Sequence, residues 1–164
     1  MTSRAERPTA VPPEPPLLHA DDALFVRAPE AMIYRRLTHI AMWPTWWSGC
    51  AVEPLAAPVP GGERWAVSLR CGWARQLRLA LRPHSFRHDL GMVLELRGDL
   101  VGRSEFWLEP THGGTVVHQL LVATTPLRRP LRVLEDHRRA VRRGLWGLKD
   151  VLQLEARASV GLAP

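Results

Sequence analysis

Lysine is almost missing from this chain: Lys149 is the only one, so the formal net charge of +6 is carried by arginine. A GC-rich coding bias would enrich arginine, alanine, proline and leucine together and would account for part of the basicity. No stretch approaches the roughly 20 consecutive apolar residues of a membrane span. The first eighteen residues, MTSRAERPTAVPPEPPLL, hold five prolines and no apolar core of a signal peptide. They predict a disordered tail over 1–18 and a cytoplasmic protein. With only two cysteines, Cys50 and Cys71, a disulfide framework is excluded and two reduced, packed thiols are expected.

Motifs of the common catalytic and cofactor classes are absent as well. There is no GxSxG turn for a serine nucleophile, no GxGxxG loop for a dinucleotide, and no HExxH or paired-cysteine spacing for zinc. His84 and His88 stand four apart in PHSFRH, but Pro83 and the flanking strand pattern put them in a hairpin rather than on a helix. Neither a metal nor a cofactor is expected. The arginines lack the interleaved exposed aromatics and the motif spacing of a nucleic-acid binder, and Arg97-Gly98-Asp99 reads as a hairpin turn.

What is present is a globular composition, 46% hydrophobic and 23% charged over 164 residues, which fits one domain with room for a core and a pocket. That domain is placed at 19–158. Ala23 to Ala28 reads as a strand, Pro29 opens a helix carrying Met32, Ile33, Arg36 and Leu37, and a second short helix surrounds Pro44 with Trp43, Trp46 and Trp47. From Gly49 to Thr125 the apolar period is two. Trp65, Val67, Leu69 and Cys71 alternate with Arg64, Ala66, Ser68 and Arg70, and Leu77, Leu79 and Leu81 lie on one face with Arg78 and Arg82 on the other. Further strands fit Met92–Arg97, Val101–Glu109 and Thr115–Thr124, with turns at Pro60-Gly61-Gly62, Gly98-Asp99 and His112-Gly113-Gly114.

The chain ends in LRRPLRVLEDHRRAVRRGLWGLKDVLQLEA, a single helix from Leu127 to about Ala156 with Pro130 in an early turn. Leu127, Leu131, Leu134, Val141, Leu145, Leu148 and Leu152 form its apolar stripe. Arg128, Arg129, Arg132, Arg139, Arg142 and Arg143 are assigned to a face in water. The class is α+β: six or seven antiparallel strands in a curved sheet wrapped around a long C-terminal helix, with two short helices after the first strand.

Three segments, VRAPEAMIYRRLTHIAMWPTWW, GDLVGRSEFWLEPTHGGTVVHQLLV and DHRRAVRRGLWGLKDVL, resemble in order the polyketide cyclase/dehydrase and lipid-transfer group of the SRPBCC superfamily, the START-like helix-grip fold also found in birch-pollen-type allergens. The resemblance implies an internal cavity for a hydrophobic small molecule (polyketide, lipid or aromatic), with cyclase/dehydrase activity or passive carriage as the two branches. The chain departs from one bacterial branch at Asp136, Arg138, Val141 and Phe106, where relatives often carry Asn, Asp, Met and Trp.

Strand parity and the helical stripe together choose a lining of Trp65, Val67, Leu69, Leu79, Leu94, Phe106, Gln119, Leu121, His137 and Val141. Trp47 closes a mouth of the pocket, unless the three tryptophans form a packed helical corner. His137 either orients or protonates a carbonyl or is a packed helix-face histidine. Gln119 points inward by the parity of Val117 and Leu121 and needs a partner or a ligand there; a one-residue bulge would turn His118 inward instead. Ser104 and Leu108 share the inward face with Phe106. The arginine face suits an acidic carrier protein or an anionic membrane surface. An interaction protein without a functional cavity is the remaining alternative.

Overall fold

The computed structural model describes residues 13–55 and 62–161; the Pro60-Gly61 part of the expected turn and residues 1–12 of the expected tail lie outside them. Residues 13–17 have no regular structure, and strand β1 (Leu18–Val26) follows. This is earlier than Ala23, because Leu18, Ala20 and Asp22 continue the buried alternation of the strand through a stretch whose two adjacent aspartates read as exposed. Then come α1 (Glu30–Thr38), a 3-10 turn (Ile40–Met42) and α2 (Trp43–Trp46). Pro29 precedes α1 in extended conformation and its carbonyl accepts from the Met32 and Ile33 amides.

Six strands follow: β2 (Cys50–Pro54), β3 (Trp65–Arg70), β4 (Gln76–Arg87), β5 (Gly91–Gly98), β6 (Val101–Thr111) and β7 (Gly114–Thr124). All pair antiparallel in the order β1-β7-β6-β5-β4-β3-β2, so the helical connection after β1 carries the chain from one sheet edge to the other. The alternating apolar positions Val67, Leu69, Leu77, Leu79, Leu81, Leu94, Leu96, Phe106, Leu108, Val117 and Leu121 all point into one core, as strand pleating requires. The curved sheet closes on α3 (Pro130–Gly161), which begins at the proline whose missing N–H costs nothing in a first turn.

The buried stripe of α3 is Val133, His137, Ala140, Val141, Leu145, Leu148 and Leu152. Leu127 lies ahead of the helix and Leu131 in its first turn; both are exposed, because the stripe extends past the ground the sheet covers. The arginines also depart from a simple water-facing side. Arg138 and Arg142 grip Asp22 on β1, while Arg143 donates to the Arg70 carbonyl at 2.8 Å and Arg139 to the Cys71 carbonyl at 3.3 Å, at the end of β3. The middle of α3 is thus clamped to both sides of the sheet that wraps it.

The tryptophan corner is packed. Trp43, Trp46 and Trp47 are buried, Trp46 and Trp47 stack at 5.6 Å, and the Trp47 indole donates to the Ala140 carbonyl on α3 at 2.9 Å. Two helix glycines make room for it. A Cβ on Gly147 would stand 1.8 Å from the Trp46 carbonyl oxygen, and one on Gly144 2.4 Å from the Trp47 ring.

Candidate functional site

The register aligns Asp22 on β1 with Gln119 on β7, Gln119 with Phe106 on β6, and Phe106 with Met92 on β5. This row crosses four strands on the sheet's inner face, polar at the β1 end and apolar at the other. Ser104 stands in the neighbouring row, opposite Leu121. Above the polar end lies His137 of α3, close enough to Asp22 to feel its charge.

Gln119 is 1% exposed and His137 3%. The Gln119 amide nitrogen donates to Ser104 Oγ at 2.6 Å and to the Leu120 carbonyl at 3.2 Å. A carbonyl can only accept, which fixes the amide orientation and leaves Gln119 Oε1 facing the interior. That oxygen and His137 Nδ1 are buried without a hydrogen-bond partner. Each such orphan costs about 1–3 kcal/mol, so a polar group that reached either atom would be stabilised there.

Burial pushes the His137 pKa down to about 4, against the opposing pull of the Asp22 carboxylate. The imidazole is therefore neutral at neutral pH and offers a hydrogen bond, not a ready proton. Burial also raises the Asp22 pKa, but the hydrogen bonds and charges of Arg138 and Arg142 outweigh it and hold the carboxyl below its ordinary range. Among the described residues no group of three or more His, Cys, Asp or Glu is placed to hold a metal ion. His84 lies in β4 and His88 follows that strand, where it packs near Tyr34. Burial raises both thiols, Cys50 to about 12.

The predicted lining is brought together: Trp47, Val67, Leu69, Leu79, Leu94, Phe106, Leu121 and Val141 belong to one buried cluster, with Trp65 half-buried against it. Gln119 faces inward as its parity requires, and His118 lies on the other face, stacked on Trp107 and bonded to Glu109. Asp22 escaped the sequence reading, though the alternation of Leu18, Ala20 and Leu24 would have placed it inward. Two open clefts, of about 710 and 680 Å³, lie elsewhere, between the β3–β4 hairpin and the start of α3.

By sequence, no protein-family model and no curated protein matches the chain. Solved structures do match. The di-domain ARO/CYC StfQ from the steffimycin biosynthetic pathway superposes with a TM-score of 0.63 at 18% identity, over 85% of this chain and 52% of that one. The chain thus spans about half the length of StfQ. TTHA0849 from Thermus thermophilus gives 0.68 at 15% identity, covering 85% and 99%, and KanY 0.65 at 14%, covering 84% and 99%. The chain shares the helix-grip fold of these proteins. Ara h 8.0201, at 11% identity and a TM-score of 0.64, shares it as well. In this helix-grip chain, Gln119 Oε1 on the inner face of the sheet and His137 Nδ1 on α3 are buried without a partner, as are Trp46 Nε1 and Arg75 Nη1.

Proposed function

We propose that the protein binds a hydrophobic small molecule bearing oxygen, of polyketide, lipid or aromatic type, between the sheet and α3. The observation that carries this reading is the pair of buried, unpartnered atoms, Gln119 Oε1 and His137 Nδ1. The first accepts from a ligand hydroxyl and the second, in its N–H tautomer, donates to a ligand carbonyl. Trp47, Trp65, Val67, Leu69, Leu79, Leu94, Phe106, Leu121 and Val141 supply the apolar surroundings. The helix-grip fold shared with an ARO/CYC of a biosynthetic pathway supports the same class of ligand.

A cyclase or dehydrase step is the catalytic extension. Gln119 and His137 would steady a carbonyl or its enolate by fixed hydrogen bonds in a dry site, and the low pKa of His137 favours this over proton delivery. No cofactor is needed for it, and the cytoplasm is the proposed location. A passive carrier, serving an acidic carrier protein or an anionic membrane, needs the same pocket without the chemistry.

Native mass spectrometry of the freshly purified protein is the test, followed by titration with hydroxyacetophenone and with ethylbenzene. A co-purifying apolar ligand, or tighter binding of the oxygenated probe, is expected. A protein that carries nothing and binds neither probe has a filled core, and is better read as an interaction protein.

A further inference from the structure

The larger cleft lies apart from the internal site and has a distinct chemistry. Arg75 and Arg78 of the β3–β4 hairpin face Arg128, Arg129 and Arg132 around the start of α3 across about 710 Å³. The acids on its wall are already engaged: Asp136 with Arg75 and Arg139, and Asp99 Oδ2 with the Arg78 backbone amide at 2.7 Å. Arg128, Arg129 and Arg132 form no ion pair among the described residues, and Arg75 Nη1 is buried with no partner. Arg129 is held at φ 63, in the left-handed region, where its carbonyl accepts from the Arg132 and Val133 amides. Like charges gathered this closely repel one another, and a bound anion relieves the repulsion.

We propose that this cleft binds a phosphate monoester carried on an apolar body. One guanidinium fork satisfies a carboxylate, whereas a dianion with three acceptor oxygens can engage several forks at once. The apolar part has surfaces waiting beside the arginines. Leu131, 73% exposed, lines the adjoining cleft together with Arg75, Arg129 and Arg132. Trp73, 101% exposed, precedes Ala74 of the cleft wall on the β3–β4 hairpin. An exposed leucine among these arginines, with an exposed tryptophan one residue from the cleft wall, matches an amphiphile better than a free inorganic ion. The site stands whether or not the internal pocket binds a ligand.

The phosphate can belong to a free metabolite or to a lipid headgroup, and two arms separate these sources. Calorimetric titration uses hexyl phosphate against inorganic phosphate, hexanoate and hexanol. Sedimentation uses phosphatidylcholine vesicles with and without phosphatidic acid. Hexyl phosphate is expected to bind tightest of the soluble probes, and Arg128→Glu/Arg132→Glu to weaken it about tenfold or more with unchanged thermal unfolding. Trp73→Ala should weaken hexyl phosphate and spare inorganic phosphate. Binding to phosphatidic acid vesicles without hexyl phosphate binding supports the proposal with a lipid as source; binding of hexyl phosphate alone supports it with a free ester. Failure of both arms, or binding that the double variant retains, overturns it.

Discussion

Arg138 holds Asp22 with two nitrogens, Nε at 3.0 Å from Oδ2 and Nη2 at 3.1 Å from Oδ1, across 116 residues of sequence. Arg142 adds a third bond to Oδ1 at 2.8 Å. Asp22 is 5% exposed, whereas both arginines keep part of their side chains in water. The carboxylate is thus the buried member, and the helix brings the compensating charge to the strand.

Removing that carboxylate leaves two arginines that can turn to solvent, so the loss is smaller than for a fully buried pair. Asp22→Asn is expected to cost about 1–2 kcal/mol, measured by chemical unfolding. Removing Arg138 or Arg142 alone should cost less, since the other arginine remains. A double-mutant cycle between Asp22 and Arg138 should show coupling; additivity would mean the pair does not hold α3 to β1.

His137 sets an acid-side limit on stability. Its folded pKa of about 4 lies below the value near 6.5 of an unfolded histidine. Between those pH values the unfolded chain binds a proton that the folded chain refuses. The stabilisation is complete above pH ~6.5 and is lost as pH falls towards ~4, by roughly 2–4 kcal/mol. His137→Gln should flatten the unfolding free energy over that interval. Asp22 acts in a separate window: its folded pKa is depressed, so its contribution is lost only below the unfolded carboxylate range.

The two helix glycines are required by approach rather than by backbone angle. Alanine is the better helix former by about 1 kcal/mol, yet a Cβ on Gly147 would meet the Trp46 carbonyl oxygen at 1.8 Å. Backbone must then move. Gly147→Ala should destabilise the protein by about 2 kcal/mol or more despite its better propensity, with a change in near-ultraviolet circular dichroism from the displaced tryptophans. A stabilised Gly147→Ala protein would contradict the packing of α2 on α3.

The strands were legible because their apolar period is local: RWAVSLRC and RQLRLALRP show which face is inward without reference to any partner. The final helix was legible for the same reason, down to Pro130 in its first turn. Asp22 has the inward parity of Leu18 and Ala20, but an aspartate beside Asp21 looks solvated until Arg138 and Arg142 arrive from the far end of the chain. The roles of the arginines were hidden likewise. Arg139 and Arg143 sit on a charged face by their spacing, but they meet the carbonyls of Cys71 and Arg70 only once the sheet has curved round the helix. The cleft that joins Arg75 to Arg132 has no trace in either segment alone.

Gln119 separates stability from ligand recognition. Gln119→Leu removes the orphaned Oε1 and its desolvation cost, while it takes a hydrogen-bond partner from Ser104. These effects oppose each other, so the unfolding free energy should change by no more than about 1 kcal/mol. Binding of hydroxyacetophenone should nonetheless fall about tenfold, since a hydroxyl that loses its only buried acceptor costs about one such hydrogen bond. Ethylbenzene, which offers nothing to Oε1, should bind the variant at least as well as the parent. Equal losses for both probes would mean that Gln119 shapes the pocket without recognising oxygen, and the buried amide would then be a structural link between β7 and β6.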